Sequence, residues 1–187
     1  RQGRRQKGLR QVAIVGYTNA GKSTLLNALT GAEAYVENRL FATLDPKTRI
    51  YEDGSGPAIL FTDTVGFIRE LPHGLVQAFH ATLEEVLEAD IILIVIDAAS
   101  DHAAENKRVV DEVLKELGAE ASKKILVLNK IDLLGDAEKV RIREVFPGAL
   151  LISAAQKTGL GGLVESLRRE LTNRDAGNVP KPDSGVV

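Results

Sequence analysis

Short apolar runs alternate with amphipathic stretches along most of this chain. Val12 to Val15 is a β-branched-rich run that stops at Gly16, the pattern of a buried strand. Lys22 to Thr30 follows with Leu25, Leu26 and Leu29 on one helical face and Gly31 as a stop. Residues 31–47 keep only a weak period and are broken by Asp45-Pro46. They read as a long loop, and such loops in compact domains often carry function. Thr48 to Glu52 and Ala58 to Asp63 flank Asp53-Gly54-Ser55-Gly56-Pro57 and predict a hairpin. Leu75 to Ala89 has Leu75, Phe79, Leu83, Val86 and Leu87 at helical spacing. Ile91 to Asp97 reads as a buried strand, and Ala103 to Leu117 as a helix ended by Gly118. Lys124 to Asn129 is another strand, Glu138 to Phe146 a short helix stopped by Pro147-Gly148, and Ala149 to Ser153 a strand. Leu160 to Leu171 is the last helix, and the Pro- and Gly-bearing tail from Asn173 reads as a linker or frayed end. The expectation is an α/β fold: a mostly parallel six-stranded sheet with one antiparallel edge strand and helices on both faces.

Composition narrows the class. The chain has 187 residues, enough for one domain with a filled core, and 44% of them are hydrophobic. It has no cysteine, which excludes a disulfide framework, a thiol nucleophile and any Cys-based metal site. The longest apolar run, Ile91 to Ile96, is far too short to span a membrane, and no signal peptide opens the chain. The chain has no methionine, even at position 1, so a piece of a longer protein is expected. The net charge of -2 hides an asymmetry: the first ten residues hold five basic side chains and no acid. That arm could contact nucleic-acid phosphates, but a solvated linker is the simpler reading. The remaining body is acidic, which argues against RNA binding by this stretch alone, and nothing points to DNA.

Four loops carry chemistry. Gly16-Tyr17-Thr18-Asn19-Ala20-Gly21-Lys22-Ser23 fits G-x-x-x-x-G-K-[ST] between a strand and a helix. Its glycines let the backbone wrap phosphates, Lys22 adds a point charge, Ser23 offers a hydroxyl to Mg²⁺, and Thr24 opens the helix beside them. Asp63-Thr64-Val65-Gly66 ends a strand; its carboxylate can hold Mg²⁺ and the Gly66 N–H can reach a γ-phosphate. Asn129-Lys130-Ile131-Asp132 follows another strand. A carboxylate at Asp132 accepts from guanine N1–H and the exocyclic amine, and adenine offers neither donor. Ser153-Ala154-Ala155 follows the last strand, where a backbone N–H could bind the guanine carbonyl. Strand-end loops of one open sheet share a rim, so the four define a GTP site in a P-loop NTPase fold, with GTP and GDP as ligands. The magnesium shell also wants a hydroxyl from the long loop. Thr43 suits this better than Thr48, which starts a strand.

The P-loop string, the loop Phe41-Ala42-Thr43-Leu44-Asp45-Pro46, and the run from Asp63 to His73 (DTVGFIRELPH) resemble the HflX family of GTPases, within the Obg-HflX-like superfamily. Residues 78–90 (AFHATLEEVLEAD) are similar too, and the likeness covers residues 10–172. The resemblance implies that FATLD is the first switch, with its threonine, Thr43, on Mg²⁺. It implies a cytoplasmic protein that binds the large ribosomal subunit, mainly through domains outside this chain, and splits or rescues ribosomes under stress. Residues 1–9 are similar to the end of that family's helical linker. Residues 10–172 would be the G domain and 173–187 a linker or tail. The candidate catalytic residues are Lys22, Thr43 and Gly66, and the candidate metal ligands are Ser23, Thr43 and Asp63.

Ras-type GTPases orient water with a Gln directly after D-x-x-G; here that residue is Phe67. Slow intrinsic hydrolysis, accelerated by a partner, is expected. Asn19 stands where potassium-activated GTPases hold K⁺ beside the phosphates, or it merely supports the turn. His73 reads as a polar loop residue, His80 and His102 lack ligand spacing, and Glu84-Glu85 lie on a solvated face. Two rivals stay open: a nucleotide-sensing module with negligible turnover, and an ATP-using kinase or ATPase, which Asn129 and Asp132 oppose.

Overall fold

A computed structural model describes residues 9–31, 47–67 and 85–177. The proposed first switch with Thr43, and His73, His80 and most of the expected helix from Leu75, lie outside the described residues; residues 85–88 are helical. Among those described, the strands are β1 (Arg10–Gly16), β2 (Lys47–Tyr51), β3 (Ile59–Asp63), β4 (Ile91–Asp97), β5 (Lys124–Asn129) and β6 (Leu150–Leu151). The helices are α1 (Lys22–Thr30), α2 (Ala103–Glu116), α3 (Asp136–Val145) and α4 (Leu160–Gly177). The strands form one sheet in the order β2-β3-β1-β4-β5-β6. Every pairing is parallel except β2 with β3. The expected α/β fold with one antiparallel edge strand is the one observed.

The sheet is covered on both faces because alternate side chains point to opposite sides. Val12 and Ile14 of β1 join Leu25, Leu26 and Leu29 of α1 and Leu163, Leu167 and Leu171 of α4 in one buried cluster. Ala13 and Val15 join Val86, Val110, Leu114 and Phe146 in the other. The central strands therefore read as unbroken apolar runs, and β4 is buried at six consecutive positions.

The hairpin closes as its residues dictate. Asp53 Oδ1 accepts the Ser55 N–H and hydroxyl at 2.9 and 2.7 Å, and Gly54 takes the left-handed φ of 73° this turn needs. The same carboxylate holds Arg168 of α4 at 2.5 Å, so the hairpin that precedes the D-x-x-G loop is tied to the last helix. Among the boundaries that differ from expectation, three have a visible cause. Helix α3 starts at Asp136, because Glu138 reaches back to the Gly135 N–H at 2.7 Å and caps it. Strand β6 keeps only two residues, since Ser153 turns back to pair with Thr158. Helix α4 runs on to Gly177, past the tail expected from Asn173, because no helix breaker stands between them.

A candidate guanine-nucleotide site at the strand ends

The carboxyl ends of β3, β1, β4, β5 and β6 lie side by side, and the four loops, which follow β1, β3, β5 and β6, share one rim. The P-loop needs its glycines. A Cβ on Gly16 would overlap the Val95 carbonyl, and one on Gly21, at a left-handed φ of 90°, would overlap the Asn129 amide. Leu25 N–H bonds back to Gly21 at 2.9 Å, so α1 begins immediately at Lys22. The first-turn amides of a helix have no acceptor in the turn before them, which is what suits a helix N-terminus to an anion such as phosphate.

Lys22 is buried, and its Nζ bonds to the Tyr17 carbonyl at 3.2 Å. Burial lowers its pKa to about 8, against an opposing pull from Asp63. Asp63, at the end of β3, is fully buried and accepts the Ser23 hydroxyl at 2.5 Å. Two of the three residues proposed as metal ligands thus meet across the P-loop and the D-x-x-G strand. Both offer hard oxygen atoms, the donor set that suits Mg²⁺.

Asp63-Thr64-Val65-Gly66 runs on beside the P-loop. The Thr64 hydroxyl bonds to the Ile14 carbonyl at 2.7 Å and Val65 is buried, so neither side chain faces the rim. Thr18 N–H bonds to the Phe67 carbonyl at 3.1 Å, and Phe67 N–H to the Gly16 carbonyl at 3.0 Å. Gly66 is pressed close: a Cβ there would lie 2.7 Å from Thr18 Cγ2 and 3.1 Å from Lys22 Nζ. The Phe67 side chain is fully buried in the cluster with Ala13, Val15 and Val86. Where Ras-type enzymes carry a water-positioning Gln, this chain has a core residue. Thr48, the weaker alternative for the magnesium hydroxyl, bonds across the hairpin to Thr62 at 3.0 Å.

Asn129 does more than precede Asp132, the carboxylate expected to read the base. Its side chain is buried, donates to the Ala20 carbonyl at 2.9 Å and accepts the Ala154 N–H at 2.9 Å. It ties the P-loop to the Ser153-Ala154-Ala155 loop. The Ala154 N–H, one of the donors expected to face the base, is thereby engaged. Ser153 is also buried, its hydroxyl accepting the Gln156 N–H at 3.0 Å, while Ala155 is exposed. Ile131 packs toward the core and Asp132 is exposed beside it. Lys130, at a left-handed φ of 65°, pairs with Asp97 of β4 at 2.7 Å. Asp97 was not singled out from sequence; its signal was a carboxylate ending an otherwise apolar strand. Asn19 is exposed at φ 61°. It lines a cavity of about 490 Å³ with Tyr17, Thr18, Ala20 and Asp97.

A mostly parallel sheet with a phosphate loop after β1, a carboxylate at the end of β3 and N-K-x-D after β5 defines a P-loop GTPase domain. Comparison with known proteins agrees. A family model described as 50S ribosome-binding GTPase matches residues 11–130. GTPase HflX of Caldanaerobacter subterraneus subsp. tengcongensis is 54% identical over 171 residues, covering 91% of this chain and 39% of that protein. GTPase HflX of Escherichia coli strain K12 is 45% identical over 178 residues, covering 94% and 42%. The solved structure of Era in complex with MgGDPNP and a segment of 16S ribosomal RNA is 28% identical with a TM-score of 0.70, covering 96% of this chain and 59% of that one. The chain belongs to this family of GTPases, in its HflX group. It spans about two fifths of the length of the curated relatives it matches.

Proposed function

We propose that this chain is the GTP-hydrolysing switch domain of an HflX-type protein that acts in the cytoplasm on the large ribosomal subunit, in ribosome splitting or rescue. The observation that carries the GTPase part is the meeting of Lys22, Ser23, Asp63 and Gly66 at the mouth of α1, with N-K-x-D one loop away. The ribosomal part rests on the printed names of the family and on the HflX relatives. Residues 10–172 form the G domain in this reading, with the rest of α4 added to it.

The division of labour follows from chemistry. Lys22 and the first-turn amides of α1 hold the β- and γ-phosphates, Gly66 N–H reaches the γ-phosphate, and Asp132 reads guanine. Ser23, Asp63 and Thr43 would hold Mg²⁺, which when bound neutralises charge across the β- and γ-phosphate oxygens. GTP thereby orders the loops around Thr43 and Gly66, and loss of the γ-phosphate releases them. Phe67 is turned into the core and cannot orient water, so turnover is slow until a partner, or K⁺ held near Asn19, completes the site. The buried Phe67 also favours a second reading, a nucleotide sensor with negligible turnover.

The test is GTP turnover by this chain and by the full-length protein, with and without 50S subunits, in K⁺ and in Na⁺. Slow single-turnover hydrolysis, stimulated by 50S in the full-length protein, is expected. No single-turnover hydrolysis under any condition would leave only the sensor. Equal rates in K⁺ and Na⁺ would remove the potassium site. Competition by ATP as strong as by GTP would overturn the guanine assignment.

A further inference from the structure

Asp97 belongs to none of the four motif loops, yet its carboxylate joins two parts of the site. It closes β4, beside Asn129 in the β4–β5 register, and the Asn129 carbonyl accepts the Ala98 N–H at 2.8 Å. One carboxylate oxygen accepts the Ala99 N–H at 3.0 Å, a local turn that sets the direction of the group. The other meets Lys130 Nζ at 2.7 Å. The two side chains are only 22% and 25% exposed, so the pair is screened less than a surface ion pair.

The consequence lies in the Lys130 stem. Its backbone is left-handed, which a non-glycine residue adopts only where the surroundings enforce it. The stem runs back over the P-loop, so that a Cβ on Gly21 would come within 4.0 Å of Lys130 Cε. A free lysine stem has four rotatable bonds and costs entropy to order. Tethered at both ends, by its backbone and by Asp97, it is ordered before any nucleotide arrives.

We propose that Asp97 is a positioning residue for nucleoside binding: it holds the Lys130 stem as a ready-made apolar wall for the guanine base and keeps the Lys130 ammonium away from the phosphates. This inference rests on the reading of the rim as a guanine-nucleotide site. It assigns Asp97 no contact with substrate and no part in hydrolysis. Pre-ordering reduces the entropy lost on binding. Removing the tether therefore weakens GDP and GTP together, because both carry the same base, and leaves their affinity ratio unchanged.

The experiment is a double-mutant cycle on fluorescent GDP and GTP binding, with Asp97→Asn, Lys130→Met and the pair, plus Asp97→Glu. Asp97→Asn retains the acceptor for the Ala99 N–H, so the turn is preserved. Expected is a loss of about 10-fold in both affinities for Asp97→Asn, from loss of a charge-assisted hydrogen bond, and partial recovery in Asp97→Glu. In the Lys130→Met background the same change is expected to cost less than about twofold. An Asp97→Asn affinity within twofold of the unaltered protein overturns the proposal. So does an equal loss with and without Lys130, which a merely structural Asp97 would give. If the unaltered protein binds neither nucleotide, the site reading itself falls, and this inference with it.

Discussion

Lys22 is where burial and charge oppose each other most directly. Its pKa of about 8 lies below the ordinary 10.5 because desolvation outweighs the attraction of Asp63. The unfolded chain then binds more protons than the folded one between those two values, so the nucleotide-free protein gains stability as pH rises from about 8 to about 10. The gain is at most about 3 kcal/mol. Lys22→Met is expected to raise the melting temperature of the free protein at pH 7, to flatten this pH dependence and to abolish GDP binding. Thermal melts between pH 6.5 and 10, with and without GDP, check all three. Phosphates favour the charged lysine, so GDP affinity in the unaltered protein should fall above pH 8. Titration calorimetry at pH 8.5, in buffers of different ionisation enthalpy, should show proton uptake on binding.

Gly66 sets a second limit at the same scale. A methyl group there would crowd Thr18 and the Lys22 ammonium. If that crowding displaces the Gly66 N–H from the γ-phosphate it is proposed to reach, Gly66→Ala is expected to reduce GTP turnover by about 100-fold, the scale of a misplaced donor to developing charge. GDP affinity, which does not use the γ-phosphate contact, should change by only a few-fold. Equal losses in GDP affinity and turnover would place Gly66 in ground-state binding instead.

At the scale of elements, the hydrophobic pattern was legible wherever a segment is buried. The runs beginning at Val12, Ile91 and Lys124 became β1, β4 and β5, because parallel strands covered on both faces leave little room for polar residues. Element ends were less legible. Whether Ser153 continues a strand or turns back depends on Thr158, and where α3 starts depends on the Glu138 cap. Asn129 belongs to this scale too, since it joins three loops. Asn129→Ala would leave the Ala20 carbonyl and the Ala154 N–H without their partner in a dry site, a cost of about 2–4 kcal/mol. Because the P-loop loosens with it, GDP and GTP affinities should both fall by at least about 10-fold. A fluorescent-nucleotide titration beside a urea melt separates the two effects.

At the scale of the whole molecule, Phe67 couples core to site. Its side chain fills one buried cluster while its backbone pairs with Gly16 and Thr18 of the P-loop. Phe67→Gln therefore should not restore a Ras-like enzyme. A buried amide would replace a packed ring, at a cost of about 3 kcal/mol. The melting temperature is expected to drop by several degrees with no increase in intrinsic turnover; a faster, equally stable variant would contradict the buried placement.

The sequence alone was enough for the alternation of strands and helices, the order of the four loops and the chemistry each can do. Those properties follow from local period and from the residue types phosphate and guanine demand. Tertiary structure alone decided which groups meet. Ser23 finds Asp63 forty residues away, Asn129 bridges Ala20 and Ala154, Asp97 captures Lys130, and Phe67 turns inward. Each contact exists because β3, β1, β4, β5 and β6 lie adjacent in register, and strand order depends on the packing of the whole sheet, which no local pattern contains.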